Sequence, residues 1–168
     1  MTRFAKGSAA LLAALALTAG TAEAQNTDDI QVLANVLVAL NVTGDQDLDF
    51  QDVLPGVNKT INVDDATAGH FTITGHGTAN VNLTFTLPAN LTGPGNLAIG
   101  SWTGYLNGGS DDPSAGGSAV VPASGVPIAS AIGAGGNLWV FIGATVSPTV
   151  AQAQGNYTGT VTLLVEYF

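Results

Sequence analysis

Apolar side chains alternate with polar or small ones along several short segments of this chain, and glycine or proline separates the segments. Successive side chains of an extended chain point to opposite faces, so this alternation gathers the apolar residues on one face. The clearest examples are Phe71 with Ile73, the run from Val81 to Leu87, and the segment Tyr157–Phe168. The pattern predicts a fold built from many short β-strands.

The composition agrees with that prediction, because Thr, Val, Asn and Gly are abundant and only 9% of residues are charged. Leu138–Val146 is more uniformly apolar, which is typical of a strand covered on both faces. Asn107–Gly117 is predicted to be a long surface loop, flanked by Trp102 and Trp139 in one core. Short strands at this spacing favour an all-β, antiparallel β-sandwich or a barrel.

The segment Ile30–Thr43 has the longest alternation, with Ile30, Val32, Ala34, Val36 and Val38 on one face. The same stretch also offers leucines at helical spacing behind an N-cap at Asp28. Its β-branched content favours a strand over that helix.

Residues 1–24 have the features of a cleavable signal peptide. Arg3 and Lys6 precede the apolar run from Ala9 to Ala19, and small residues stand at the cleavage position before Gln25. The apolar run is too short to span a bilayer, so no membrane span is expected. We therefore expect export through the periplasm to the extracellular space or cell surface, and a single domain over residues 25–168.

The charge of the chain excludes several partners. Its formal net charge is −9, and signal cleavage would leave Lys59 as the one basic residue. Such a domain cannot neutralise a row of phosphates, so we expect no nucleic-acid partner, and an anionic membrane surface is an equally poor one. The absence of cysteine excludes thiol catalysis, iron–sulfur clusters and cysteine-ligated zinc.

Acidic residues and histidines give no complete metal motif. The aspartates at 45, 47, 49 and 52 resemble the start of an EF-hand loop, but Phe50 and Gly56 stand where that loop needs glycine and glutamate. His70 and His76 lack a third ligand partner. The sequence therefore predicts no metal, no cofactor and no enzymatic activity, and leaves open a weak calcium contact near Asp45–Asp52.

The C-terminal segment carries a resemblance to a known family. Gly155 stands fourteenth from the end, an alternating strand follows, and Tyr167 is penultimate. This arrangement resembles the C-terminal strand of chaperone–usher pilus subunits. In that family the strand pairs first with a periplasmic chaperone and later borders the groove that a neighbouring subunit fills, which is recognition by strand addition.

A wider resemblance covers most of the chain. The segments that carry it are Ile30–Thr43, Asp47-Leu48-Asp49-Phe50, Leu54-Pro55-Gly56 and Gly155–Val161. They resemble the bacterial secreted family called domain of unknown function 4402, which is similar to spore coat protein U and to pilins. The resemblance implies an immunoglobulin-like, pilin-like β-sandwich with a surface or filament role. Proteins of this kind usually carry an early cysteine, which this chain lacks.

These observations predict a bacterial cell-surface structural protein, a fimbria-like subunit that self-assembles into filaments by strand addition or pairs with a periplasmic chaperone. The residues expected to carry assembly are Ile30, Val32, Ala34, Val36, Val38, Gly155, Tyr157, Val161, Leu163, Val165 and Tyr167. Whether Ile30–Thr43 is donated to a neighbour or forms the domain's own first strand stays open. The alternative function is a self-complete monomeric adhesion module for a glycan or surface ligand, using Trp102 and Tyr105.

Overall fold

The computed structural model of the chain describes residues 26–168. The expected signal peptide lies outside these residues. Asn35–Phe168 forms one compact unit, and residues 26–34, which belong to a separate unit, carry no regular secondary structure. The ten strands are β1 (Asn41–Gln46), β2 (Lys59–Ile61), β3 (Gly69–Thr74), β4 (Asn80–Thr86), β5 (Asn90–Thr92), β6 (Asn96–Asn107), β7 (Ser118–Val120), β8 (Pro127–Ala131), β9 (Asn137–Ser147) and β10 (Thr162–Tyr167).

The strands form two sheets in which all named pairs are antiparallel. The larger sheet has the order β1-β3-β9-β6-β5, with β2 also paired to β9 and β7 to β6. The smaller sheet has the order β10-β4-β8. The all-β prediction is therefore confirmed. Within residues 26–168, no helix is long and apolar enough to cross a membrane.

The first core cluster lies between the two sheets and explains the alternation of β4 and β10. Val81, Leu83 and Phe85 of β4 are fully buried, and Leu163 and Val165 of β10 lie beside them. The larger sheet contributes Ile73, Leu106, Leu138, Val140 and Ile142 to the same cluster. Full burial of one such side chain stabilises the fold by about 1.5–3 kcal/mol. The buried side chains of these five strands therefore hold the two sheets together.

The second core cluster underlies the other half of the larger sheet. Its buried members are Phe50, Ile61, Ala68, Leu97, Ile99, Ala144 and Val146. None belongs to the smaller sheet, and the side chains packed against them come partly from irregular segments, including Leu48, Val53 and Tyr157. This half of the larger sheet is thus covered by loops rather than by strands.

One predicted strand begins later in the structure than the sequence pattern predicts. The predicted strand Ile30–Thr43 is wrong over its first part, because residues 26–40 have no regular structure and β1 begins at Asn41. Asn41 pairs with Thr74, the last residue of β3, so the neighbouring edge ends there and offers earlier residues no partner. The helical alternative is absent as well. Leu48–Phe50 is a loop whose Phe50 enters the second cluster.

The remaining strand predictions correspond to β3, β4, β9 and β10, with shifted ends. The uniformly apolar β9 lies at the centre of the larger sheet, between β3 and β6. Trp102 packs against both core clusters, as expected of a core residue. Trp139 is different: it is half-buried between Leu138 and Val140, which face the core, so it lies on the outer face of the sheet.

Candidate functional site

An open groove of about 1200 Å³ runs beside the second core cluster. One wall is the segment 46–55 that follows β1, and the other is the segment 152–161 that leads into β10. Buried or half-buried apolar side chains line the groove: Phe50 from the first wall, and Phe71, Leu97, Ile99 and Trp102 from the sheet. Polar side chains, among them Asp47, Asp49 and Gln152, share the lining, so the groove suits an extended segment whose side chains alternate between apolar and polar.

The groove continues into an edge strand. β10 pairs with β4 along its whole length, from Thr162 opposite Thr86 to Tyr167 opposite Val81. Among residues 26–168, no strand pairs with the other side of β10. That side therefore presents backbone N–H and C=O groups to any extended segment that approaches it.

The alternating apolar residues of the N-terminal arm, defined here as residues 30–38, are exposed. Ile30, Val32 and Val36 retain about nine-tenths of their accessible surface, Val38 retains 58%, and Ala34 is exposed. Single exposed apolar side chains are ordinary, but these five stand at alternate positions and would share one face if the segment became a strand.

The base of this arm is bonded to the last strand. The Tyr167 hydroxyl accepts a hydrogen bond from the His76 backbone N–H at 2.7 Å and donates one to the Val38 carbonyl oxygen at 2.7 Å. Leu40 packs against the first core cluster. These contacts fix residues 38–40 at the end of β10.

Gly155 and Tyr157 shape the turn that forms one wall of the groove. Gly155 has φ +148°, and a Cβ there would lie 2.5 Å from the Pro94 ring, so only glycine fits. The Tyr157 hydroxyl donates to the Ala153 carbonyl oxygen at 2.7 Å and accepts from the Gln152 side-chain amide at 2.8 Å. The glycine and the tyrosine thus hold the chain as it passes from β9 to β10.

The predicted assembly residues fall into three places. Leu163 and Val165 are buried on the inner face of β10, and Val161 and Tyr167 pack against the same cluster. Gly155, Tyr157 and Val161 line the groove. The arm residues Ile30, Val32, Ala34, Val36 and Val38 are exposed. The apolar lining contributed by Phe50, Leu97 and Ile99 was missed, because these residues lie in separate segments that only the folded chain brings together.

The two histidines are not brought together. His70 lies on β3 between Asp45 and Asp111, whereas the backbone of His76 belongs to the turn bonded to Tyr167. Within residues 26–168, no group of three or more His, Asp or Glu side chains is arranged to hold a metal ion.

The two aromatic residues considered for a ligand platform do not form one surface: Trp102 lines the groove, and Tyr105 does not. Trp102 packs against both core clusters, and the Tyr105 hydroxyl accepts a hydrogen bond from the Gly117 N–H at 2.9 Å. Tyr105 therefore supports the loop that follows β6.

No protein-family model and no curated protein matches the sequence. The resemblance to domain of unknown function 4402 and spore coat protein U thus has no support from these comparisons. The functional argument rests on the groove, the open edge of β10 and the exposed arm.

Proposed function

We propose that this chain is an exported bacterial cell-surface structural protein, a fimbria-like subunit that assembles by β-strand addition. The arm of one copy supplies the strand, and the groove and the open edge of β10 in another copy receive it. One observation carries the proposal: the same chain holds an exposed alternating apolar arm and an unpaired edge beside a groove that is apolar in part. Export is inferred from residues 1–24.

The strand order supports an immunoglobulin-like fold with its last strand lacking. Immunoglobulin-like sandwiches have strands A-B-E-D in one sheet and C-F-G in the other. The order β1-β3-β9-β6 corresponds to A-B-E-D, and β4 beside β10 corresponds to C beside F. Strand G would lie beside β10, where residues 26–168 provide no strand. The proposed addition fills that position.

Tyr157 adds support for this assignment. In immunoglobulin-like domains a tyrosine near the start of strand F bonds through its hydroxyl to the backbone a few residues upstream. Tyr157 precedes β10, and its hydroxyl donates to the Ala153 carbonyl four residues earlier. This agrees with the assignment of β10 as strand F.

The chemistry of the arm fits the receiving edge. An added strand gains main-chain hydrogen bonds along the edge, and its alternate side chains enter the core side. Ile30, Val32 and Val36 would exchange water for the apolar part of the groove, and full burial of one such side chain stabilises the assembly by about 1.5–3 kcal/mol. A periplasmic chaperone that lends a strand would use the same edge before assembly.

Sedimentation velocity of the purified protein tests the proposal. We expect the wild-type chain to form concentration-dependent multimers, and the double variant Val32→Asp, Val36→Asp to remain a monomer, because carboxylates cannot enter the groove. The matched control, Gln31→Asp with Asn35→Asp, adds the same charge to the opposite face and should still assemble. A wild-type chain that stays monomeric at every concentration would contradict the proposal and favour the self-complete adhesion module.

A further inference from the structure

Three exposed apolar side chains lie together at the end of the larger sheet where β9 finishes. The Val57 N–H donates to the Leu54 carbonyl and closes a turn, and the Gly56 N–H donates to the Thr149 carbonyl at 3.0 Å. Gly56 also lies against Val150, because a Cβ at Gly56 would be 2.9 Å from Val150 Cγ1. Leu54, Val57 and Val150 retain 69%, 54% and 88% of their accessible surface. These three residues are called the tip patch below.

The tip patch continues the rim of the groove. Leu54 lines the groove together with Pro55 and Pro148. From there the groove extends to Val161, the residue before β10. A segment that enters the groove and reaches β10 therefore passes the patch.

The tip patch is uncharged in a strongly acidic chain. The segments that carry it, residues 53–58 and 148–157, contain no Asp, Glu, Lys or Arg, whereas the formal net charge of the chain is −9. The charged residues that flank the turn, Asp52 and Lys59, have opposite signs. A second copy can thus approach this end without the repulsion that the acidic segments impose.

β9 connects the base of the arm to the end that carries the tip patch. Gly136 precedes β9 and accepts a hydrogen bond from the Gly75 N–H at 3.0 Å. Gly75 lies against Leu40 and Tyr167, at the base of the arm. Ser147 ends β9, and the patch segment follows it. The strand has 11 residues, so the two ends lie about 33 Å apart at about 3.3 Å per residue.

The position of Val38 restricts how a second copy can donate its arm. Val38 and Leu40 of the receiving copy already lie at the Tyr167 end of β10, so the body of the donor must lie at the other end, beside Thr162 and the groove. At about 3.3 Å per residue, arm residues 30–38 span about 30 Å and β10 spans about 20 Å. About three arm residues remain for the groove, which brings the donor's body close to its rim.

We propose that the tip patch is a second contact between copies, made with the arm end of the copy whose arm fills the groove. The arm end comprises residues 38–40, 75–79 and 132–136. This inference rests on the proposed strand addition and adds to it a contact between the folded bodies. The two turns of the arm end are rich in glycine and alanine and carry no Asp, Glu, Lys or Arg, so another surface can approach them closely. Leu37 and Ala134 add exposed apolar surface there.

The two surfaces differ and lie at opposite ends of one chain. Such a contact is heterologous, and each copy can make it once as donor and once as acceptor. A heterologous contact that does not close into a ring extends into a filament.

Sedimentation velocity of Val150→Asp measures what the tip patch contributes to assembly. Val150 is the most exposed residue of the patch, so the substitution leaves the fold intact. We expect assembly about ten- to a hundredfold weaker than in the wild type, as for an interface residue that carries binding energy. The matched control is Val121→Asp: Val121 is 79% exposed, lies after β7 and lines neither the patch nor the groove. It should assemble like the wild type.

Binding of a synthetic peptide of residues 26–38 separates the tip patch from strand addition, because the peptide has an arm and no body. The acceptor is the chain with Val32→Asp and Val36→Asp, with or without Val150→Asp. We expect equal peptide affinity for the two acceptors. Wild-type assembly of Val150→Asp, or weaker peptide binding to the acceptor that carries it, would overturn the contact at the tip patch and leave strand addition standing. A peptide that binds neither acceptor would overturn strand addition itself, and the patch contact with it.

Discussion

The hydroxyl of Tyr167 lies 2.7 Å from the carbonyl oxygen of Val38 and donates a hydrogen bond to it. Tyr167 ends β10, and Val38 ends the arm, so this bond joins two segments that are 129 positions apart in the chain. The arm therefore starts from a fixed point next to the edge that we propose receives a strand. This geometry makes Tyr167 the first residue to test.

Tyr167→Phe should destabilise the fold by about 1–3 kcal/mol, because the half-buried His76 N–H and the exposed Val38 carbonyl both lose their hydroxyl partner. Urea unfolding followed by circular dichroism measures the change. Tyr105→Phe is the matched control: it removes one bond, from the exposed Gly117 N–H, and should cost about 0.5–1.5 kcal/mol. Equal losses for both variants would contradict the role given to Tyr167.

Leu163→Ala should cost about 2–5 kcal/mol, because Leu163 is 9% exposed in the first core cluster. Its neighbour Leu164 points the other way and is 53% exposed, so Leu164→Ala should change the free energy of unfolding by no more than about 0.5 kcal/mol. Thermal or urea unfolding of the two variants checks the facing of β10. A larger loss of unfolding free energy for Leu164→Ala than for Leu163→Ala would contradict the assignment of Leu163 to the core face of β10.

Gly155→Ala should destabilise the protein by about 1–3 kcal/mol, because its φ of +148° disfavours a side chain and the new Cβ would meet Pro94. Gly100→Ala serves as the control, since a Cβ at Gly100 has no neighbour within 4 Å. We expect that control to be neutral or slightly stabilising. Comparable unfolding midpoints for the two alanine variants would contradict the assigned turn geometry.

Asn107→Ala should make the loop 108–117 sensitive to proteases, because two backbone N–H groups and two carbonyls lose the side chain that organises them. Limited proteolysis with mass mapping of the cut sites measures this. Asn137→Ala removes only a 3.4 Å bond to the Gly135 carbonyl and should leave the loop intact. If both variants resist cleavage in the loop equally, Asn107 does not order it.

The strands predicted correctly from the sequence are those whose apolar side chains find a facing apolar surface in the folded chain. The alternation of β4 and β10 and the apolar run of β9 are local patterns, and each finds a facing surface in the first core cluster. The arm carries the same alternation, yet it forms no strand, because β3 ends at Thr74 opposite Asn41. Strand formation depends on a partner edge, and no local pattern reports where that edge ends.

The candidate site was predictable only in part. The wall formed by residues 152–161 was predicted from Gly155, Tyr157 and the alternating residues of β10. The apolar lining was not, since Phe50 and Leu97 come from distant segments. The contact between His70 and Asp111 likewise joins a strand to a distant loop. The spacing of the two residues in the sequence does not predict it.

Disulfide trapping between two copies tests strand addition most directly, because the chain has no cysteine of its own. One copy carries Leu164→Cys on the outer face of β10, and the other carries Leu33→Cys, Asn35→Cys or Ala34→Cys. An added strand turns residues 33 and 35 to the outer face and residue 34 to the core.

Mild oxidation of the mixed copies, followed by mass analysis of the dimers, gives the result. We predict a mixed disulfide with Leu33→Cys or Asn35→Cys, whichever the register brings within the 4.4–6.8 Å Cα separation typical of a disulfide, and little with Ala34→Cys. No mixed disulfide from any of the three, or equal yields from all three, would contradict assembly by strand addition.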